Sequence, residues 1–439
     1  MSDTLTPQGY IPRVVDAQIE RYLGIFGAVE IAGTKWCGKT WSGLHHAKSV
    51  SYIDESEDVA RADPSLMTLG EKPHLIDEWQ LVPGIWDAVR RQVDKSGGAR
   101  GSWILTGSST PFGPRVSDTD SKERPHHSGA GRIGRIRMRP MTLAESGESA
   151  SCVSLAGLFR GEFEPCIAPE GTISLIEAAC RGGWPGAQGM DISSAQTLAR
   201  EYLRLFYTES APNLGKDGDV TARLVGSLAR NLGQSATHKT LIADMYGPQA
   251  KPNQIISEQT IAEYLALLKR SYLVEEVPGW VPQSRDRKRL SVKPKRYLAD
   301  PSLAIAQLGM GVQSLLQDWQ TFGLVFEAMC MRDLAVYAEA LPDIGFEPLR
   351  YYRDDSGLEA DAIIELADGR WAAFEIKVSE DKVEPGLDSL RRLREKLCRK
   401  DSPARVREPE FMAVITGVST YAREVEDNLY VIPIRCLGA

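Results

Sequence analysis

The spacing of apolar positions along this chain switches repeatedly between helical and extended periods. Residues 14–26 repeat their apolar positions at helical spacing, and residues 28–32 then read as a short buried strand. Residues 40–48 read as a helix start and residues 51–53 as a second strand. A third strand over 73–76 ends in Asp77-Glu78. Residues 85–93 set Trp86, Val89 and Val93 on one side of a helix, and 102–109 form a fourth strand that ends in small hydroxyl residues. Strands alternating with short helices predict a parallel sheet flanked by helices.

The pattern then changes. Residues 174–180, 195–206, 220–231 and 239–245 read as helices, with the loop Arg181-Gly182-Gly183-Trp184-Pro185 as the exit from the first part. Ser257 is the expected N-cap of a helix over 258–273, with Ile261, Tyr264, Leu265 and Leu268 on one face. Two short strands follow, 274–277 and 296–298. The last third predicts a helix over 322–340, strands over 349–353, 358–366 and 371–378, a basic amphipathic helix over 387–397 and a strand over 411–416. These breaks divide the chain into 1–190, 191–296 and 297–439.

One stretch carries explicit chemistry. Gly33-Thr34-Lys35-Trp36-Cys37-Gly38-Lys39-Thr40 is a G-x-x-x-x-G-K-[ST] loop between a strand and a helix. Its glycines let backbone N–H groups turn inward on phosphate oxygens. Lys39 reaches the β- and γ-phosphates, and the Thr40 hydroxyl is a Mg²⁺ ligand. All eight residues are expected to bind ATP. Asp77 and Glu78, at the end of an apolar strand, have the form of a Walker B pair. Asp77 is assigned to the Mg²⁺ shell and Glu78 to polarising the attacking water. Thr106 or Ser108, on the fourth strand, is the candidate sensor of the γ-phosphate. Arg13 is either a nucleotide contact or a surface charge. The Gly-, Ser- and His-rich stretch 112–134 reads as a mobile loop and runs into Arg132, Arg135, Arg137 and Arg139. Arg132 or Arg135 is the candidate arginine finger, in cis or toward a neighbouring subunit. DNA phosphate contact and plain solvation are the alternatives.

Composition adds limits. The 439 residues carry a formal charge of −7, with 42% hydrophobic and 25% charged residues, as in ordinary globular protein. An acidic total argues against wholesale nucleic-acid coating but permits a local basic face. Seven scattered cysteines form no C-x-x-C pair, so reduced thiols are expected rather than a zinc site or a disulfide framework. Cys37, inside the phosphate loop, is a candidate for alkylation. No signal sequence opens the chain, and no run of 18 apolar residues predicts a membrane span. The expected location is the cytoplasm.

Tyr10-x-Pro-Arg13, the loop 33–40, Leu75-Ile-Asp-Glu-Trp-Gln80, Leu105-Thr-Gly-Ser-Ser109, Ser128-Gly-Ala-Gly-Arg132 and Arg139-Pro-Met141 together resemble a family of prokaryotic AAA-superfamily ATP-binding proteins. Its members carry a C-terminal domain of unknown function, and the resemblance covers almost the whole chain. It implies an AAA-type P-loop ATPase over 1–190.

Over 191–296, helices followed by a basic hairpin have the order of a winged helix. Arg285, Arg287, Lys288, Arg289, Lys293 and Lys295 supply the basic wing. DNA phosphates are its expected partner, against the alternative of a structural lid. The α-β-β-β-α-β order over 297–439 resembles the PD-(D/E)XK nuclease core. Asp361 falls on its second strand, and Glu375-Ile376-Lys377 on its third. Strand alternation puts Glu375 and Lys377 on one side. Asp361 and Glu375 are then Mg²⁺ ligands, Lys377 neutralises charge on the phosphoryl group, and Glu327 adds or orients a ligand. The sequence departs from that core in having no proline before Asp361 and no Gln or Tyr on the next helix. A basic run, Arg391, Arg392, Arg394, Lys396, Arg399, Lys400, Arg405 and Arg407, reads as a phosphate-tracking edge or a solvated face.

The expected function is ATP hydrolysis coupled to DNA binding or metal-dependent cleavage. The alternatives are a nucleotide switch whose C-terminal domain binds DNA or a protein without cutting, and a remodelling ATPase acting on protein. A finger in trans would imply an oligomer.

Overall fold

Five strands in the first part of the chain form one sheet, the fifth lying in the arginine-rich stretch where the apolar pattern predicts none. They are β1 (Ala28–Gly33), β2 (Ser49–Tyr52), β3 (His74–Asp77), β4 (Trp103–Gly107) and β5 (Ile133–Met138), in the order β2-β3-β4-β1-β5. Every neighbouring pair is parallel, as the alternation of strands and helices predicts. Parallel sheets need cover on both faces, and β1 is buried at every position. On one face Trp79, Trp86 and Val89 pack on Ile76 and Leu105. On the other, Ile19 of α1 (Val14–Leu23) packs among Val29, Ile31, Leu75 and Ile104.

The computed structural model describes residues 4–110, 125, 127–169, 171–249, 255–282, 292–399 and 406–439. The loop expected over 112–134 therefore lies partly outside the described residues, as do Arg285, Arg287, Lys288, Arg289, Lys400 and Arg405. The chain divides into two compact units. The first comprises Met1–Pro140, Trp184–Gly186 and Leu268–Leu273, and the second Met141–Gly183, Ala187–Leu267 and Val274–Ala439.

Among its described residues, the second unit contains two small strand pairs and a larger sheet. β6 (Val153–Ser154) pairs in parallel with β16 (Leu437–Gly438). β8 (Val274–Val277) pairs antiparallel with β9 (Lys295–Leu298). The larger sheet takes β7 (Cys166–Ile167), β10 (Arg350–Arg353), β11 (Glu359–Glu365), β12 (Trp371–Lys377), β13 (Phe411–Thr416), β14 (Tyr421–Glu426) and β15 (Leu429–Pro433). Their order is β10-β11-β12-β13-β15-β14-β7. The helix Trp319–Ala340 precedes β10, and the helix Val383–Cys398 lies between β12 and β13, so the expected α-β-β-β-α-β order is present. Leu387, Leu390, Leu393 and Leu397 of the second helix recur at helical spacing and pack on Ile363, Trp371 and Val414. Each leucine so buried contributes about 1.5–3 kcal/mol.

Several expectations are corrected. β7, β14 and β15 extend the sheet beyond the expected strands. β7 is two residues long and β14 is largely exposed, so neither leaves a clear apolar period. The cysteines are not all reduced: Cys152 and Cys166 form a disulfide, and five others are free. Lys295 is not on a phosphate-facing wing but 5% exposed among carboxylates. The basic run on and after Val383–Cys398 is largely matched by acids rather than presented as a bare edge. Arg391 pairs with Glu384, Asp388 and Glu426, Arg394 with Glu408, Lys396 with Asp354, and Arg407 with Glu410. Among the described residues, no helix is long and apolar enough to cross a membrane.

Candidate functional sites

The glycine loop joins β1 to α2 (Lys39–His46), and its two glycines are required for different reasons. Gly38 sits at φ +102°, a left-handed conformation that side chains resist. At Gly33 a Cβ would come within 2.2 Å of the Met138 carbonyl oxygen on β5. Lys39 is 4% exposed, and its Nζ donates to the Thr34 carbonyl oxygen at 2.9 Å, folding the ammonium back across the loop. Arg13 is buried beside it. Its Nη1 donates to the Cys37 carbonyl oxygen (2.8 Å) and its Nη2 to that of Arg139 (2.9 Å). Arg13 is therefore not a surface charge, and the structure shows a role the sequence did not suggest: a brace on the loop's backbone. Cys37 is fully buried, with its Sγ directed at the Met138 carbonyl oxygen, which argues against ready alkylation. Trp36 (φ +65°, 47% exposed) and Trp41 (46% exposed) project from the loop and from the first turn of α2.

The ends of β3 and β4 meet this loop. Thr40 Oγ1 donates to Asp77 Oδ1 at 2.9 Å, and Thr106 Oγ1 donates to the same oxygen. Burial raises the Asp77 pKa, while these two hydroxyls pull it back. Glu78 stands at φ +55°, an uncommon conformation for a side chain of this size. Ser108 Oγ donates to its Oε2 at 3.0 Å, and Gln80 Nε2 donates to the same atom. Both sensor candidates therefore touch the acidic pair, Thr106 on Asp77 and Ser108 on Glu78. Gln80 is an additional contact that a strand-and-turn reading of the sequence does not reveal.

The arginines behave otherwise. β1 and β5 are parallel, with Ala28 opposite Ile133 and Gly33 opposite Met138. Arg132 precedes β5 at the end of the sheet remote from the loop, roughly 17 Å away at 3.3 Å per residue. It pairs with Asp94 at 2.9 Å. An Arg132 finger in cis is thereby overturned. Arg135 pairs with the buried Glu30 at 2.8 Å and lies over the Trp86 ring. Burial raises the Glu30 pKa, and Arg135 opposes that rise.

The second unit gathers a cluster of opposed charges. The pair Ala362–Phe374 sets the register of β11 against β12, so Asp361 and Glu375 lie one step beyond it. Asp361 Oδ2 accepts from the Ile376 N–H at 2.8 Å. Lys377 Nζ lies 2.5 Å from Glu375 Oε2 and 3.5 Å from Asp361 Oδ2. Lys295, from β9, lies 2.9 Å from Glu359, 3.3 Å from Glu327 and 3.5 Å from Asp361. Tyr297 donates to Glu327 at 2.6 Å, and Ser389 to Glu375 at 3.0 Å. Burial and the neighbouring Asp361 push Glu375 up to about 7. Burial works against the charge on Lys295, but Glu327, Asp361 and Glu359 outweigh it and hold its pKa above the ordinary lysine value. A cleft of about 530 Å³ adjoins the cluster, lined in part by Glu359, Glu375, Lys377, Ser389, Arg392 and Lys396. Asp361, Glu375, Lys377 and Glu327 are thus brought together as the sequence expects. Lys295, Glu359, Tyr297 and Ser389 join them from positions whose relevance only the tertiary fold reveals.

Residues 26–146 match the model of an AAA domain. Residues 172–314 and 322–437 match two models, each described as a domain of unknown function. No curated protein matches. Among solved structures, a Walker-type ATPase of Pyrococcus abyssi is similar at 13% identity and a TM-score of 0.39, covering 70% of this chain and 98% of its own. The Aeropyrum pernix ORC1 protein in complex with DNA is similar at 12% identity and a TM-score of 0.21, covering 71% and 97%. AMPPCP-bound DnaA from Aquifex aeolicus is similar at 14% identity and a TM-score of 0.23, covering 61% and 93%.

Proposed function

We propose that this chain binds ATP with Mg²⁺ at the loop 33–40 and hydrolyses it. The observation that carries this reading is the convergence of Lys39, Thr40, Asp77 and Glu78 at one end of a parallel sheet, with Thr40 donating directly to Asp77. The residues fit the metal: a hydroxyl and a buried carboxylate already touch, and Mg²⁺ favours such oxygen ligands. Bound there, Mg²⁺ would neutralise charge on the phosphate oxygens. Lys39 exchanges the Thr34 carbonyl for phosphate oxygens. Glu78, positioned by Ser108 and Gln80, accepts a proton from the attacking water. Arg132 retains a finger role only toward a neighbouring subunit.

We further propose three functional parts, 1–190, 191–296 and 297–439, with the last two engaging DNA. The helices Gly218–Arg230, His238–Tyr246 and Glu258–Arg270, followed by the β8–β9 pair, support a winged-helix reading of the middle part. The order of elements and the acid cluster support a PD-(D/E)XK-like reading of the last. There, Glu327, Glu359, Asp361 and Glu375 face two ammonium groups, Lys295 and Lys377. When all are ionised, four negative charges meet two positive ones, so a divalent cation on Asp361 and Glu375 would balance the set. Lys377, Arg392 and Lys396 would hold a phosphodiester in the adjoining cleft.

A second reading rests on Lys295. Its ammonium already spans three carboxylates, as a built-in cation would in a binding module that does not cut. Incubating plasmid and linear DNA with Mg²⁺ or Mn²⁺, with and without ATP, separates the two. Cleavage abolished by Asp361→Ala and made ATP-independent or lost by Lys39→Ala supports the coupled nuclease. Salt-sensitive binding without cleavage supports the module.

A further inference from the structure

Three of the seven cysteines converge from distant parts of the second unit. Cys152 and Cys166 are joined, and the Sγ of Cys436 lies within 4.8 Å of both sulfurs. Strand pairing holds them there. Cys152 immediately precedes β6, which pairs with β16, and Cys166 opens β7, which pairs with β14. Cys436 immediately precedes β16 and is fully buried, with its thiol 3.9 Å from the Cys166 carbonyl oxygen. Cys152 is exposed, so one side of the group opens to solvent.

Two chemistries are open to a disulfide with a third thiol beside it. Exchange needs a thiolate. Cys436 is fully buried, so water does not stabilise the thiolate that exchange requires. Metal binding does not need a free thiolate, because the ion displaces the proton as it binds. Three sulfurs on one zinc lie roughly 3.7 Å apart, given Zn–S bonds of about 2.3 Å. The Cys436 sulfur already lies within 4.8 Å of the other two, so opening the disulfide leaves three sulfurs within reach of one ion.

We propose that Cys152, Cys166 and Cys436, after reduction of the disulfide, form a three-thiolate site for one thiophilic divalent cation of the Zn²⁺ type. A dithiol reductant supplies two electrons and two protons to the disulfide and becomes a disulfide itself. The three thiols then bind the ion and release three protons, leaving the fourth coordination position toward solvent. The disulfide form cannot bind, so the site is gated by thiol redox state. Only the metal-loaded form would tie the segment around β6 and β7 to Cys436 beside β16, because the disulfide joins Cys152 to Cys166 alone.

The test uses the full chain, oxidised or reduced, freed of reductant, equilibrated with Zn²⁺ and dialysed. The reduced chain should retain about one more zinc per chain than the oxidised chain. That increment should disappear in Cys436→Ser and in Cys152→Ser. It should persist in a His45→Ala/His46→Ala variant, which removes the other described group of donors, Asp16, His45 and His46. In the wild-type reduced chain, zinc should also slow three of the seven thiols toward a thiol reagent, a readout that needs no substitution. Equal zinc in both redox states, or an increment that survives Cys436→Ser in a folded variant, would overturn the proposal. So would a reduced chain whose thiols zinc does not protect.

Discussion

His74 shows how one side chain can set a pH limit. It opens β3, the strand that carries Asp77, and its ring is buried between Ser49 Oγ (2.7 Å from Nδ1) and the Met67 carbonyl oxygen (3.0 Å from Nε2). Burial, then the nearby Lys72 charge, lowers its pKa from 6.5 to about 4. The unfolded chain therefore binds a proton near pH 6.5 that the folded chain accepts only near pH 4. Stability should be fully present above pH 6.5 and fall as the pH drops through that window, by at most roughly 3 kcal/mol. Chemical denaturation at a series of pH values checks this. His74→Gln should flatten the slope between pH 6.5 and 4, and an unchanged slope would count against the buried neutral imidazole.

At the scale of elements, the loop depends on two strands lying close together. Gly33→Ala would drive a methyl group into the Met138 backbone, which is not a flexible side chain that can swing aside. The β1–β5 edge should shift, with nucleotide binding weakened at least tenfold and a lowered melting temperature. Titrating ATP while following tryptophan emission would report it, because Trp36 and Trp41 are exposed beside the loop. β9 presents a different case. Lys295→Met leaves Glu327, Glu359 and Asp361 without their ammonium partner, and loss of about 3–5 kcal/mol is expected at neutral pH. If Asp361 and Glu375 take a divalent cation, added Mg²⁺ should restore part of that stability. Thermal melts with and without Mg²⁺ decide between a cation site and a fixed internal counter-ion.

Much of the whole molecule was legible because it rests on local patterns. The glycine loop, the Asp77-Glu78 strand end and the α-β-β-β-α-β order each follow from spacing and period along the chain. What escaped the sequence depends on pairings between distant segments. Arg132 looked like a finger beside three other arginines, but the parallel register of β5 on β1 puts it at the far end of the sheet. Lys295 looked like part of a basic hairpin, although β9 turns it into the acid cluster. Cys152, Cys166 and Cys436 share no motif, and only the β6–β16 and β7–β14 pairings bring them together.

The central claim is that Glu78 activates water for ATP hydrolysis at a site built by Lys39 and Thr40. Phosphate release with Mg²⁺, compared between the wild-type chain and Glu78→Gln at matched nucleotide occupancy, tests it most directly. Glu78→Gln should still bind ATP while hydrolysis falls by roughly 10²–10⁴. Hydrolysis at the wild-type rate in Glu78→Gln, or none in a wild-type chain that binds ATP, would contradict the claim.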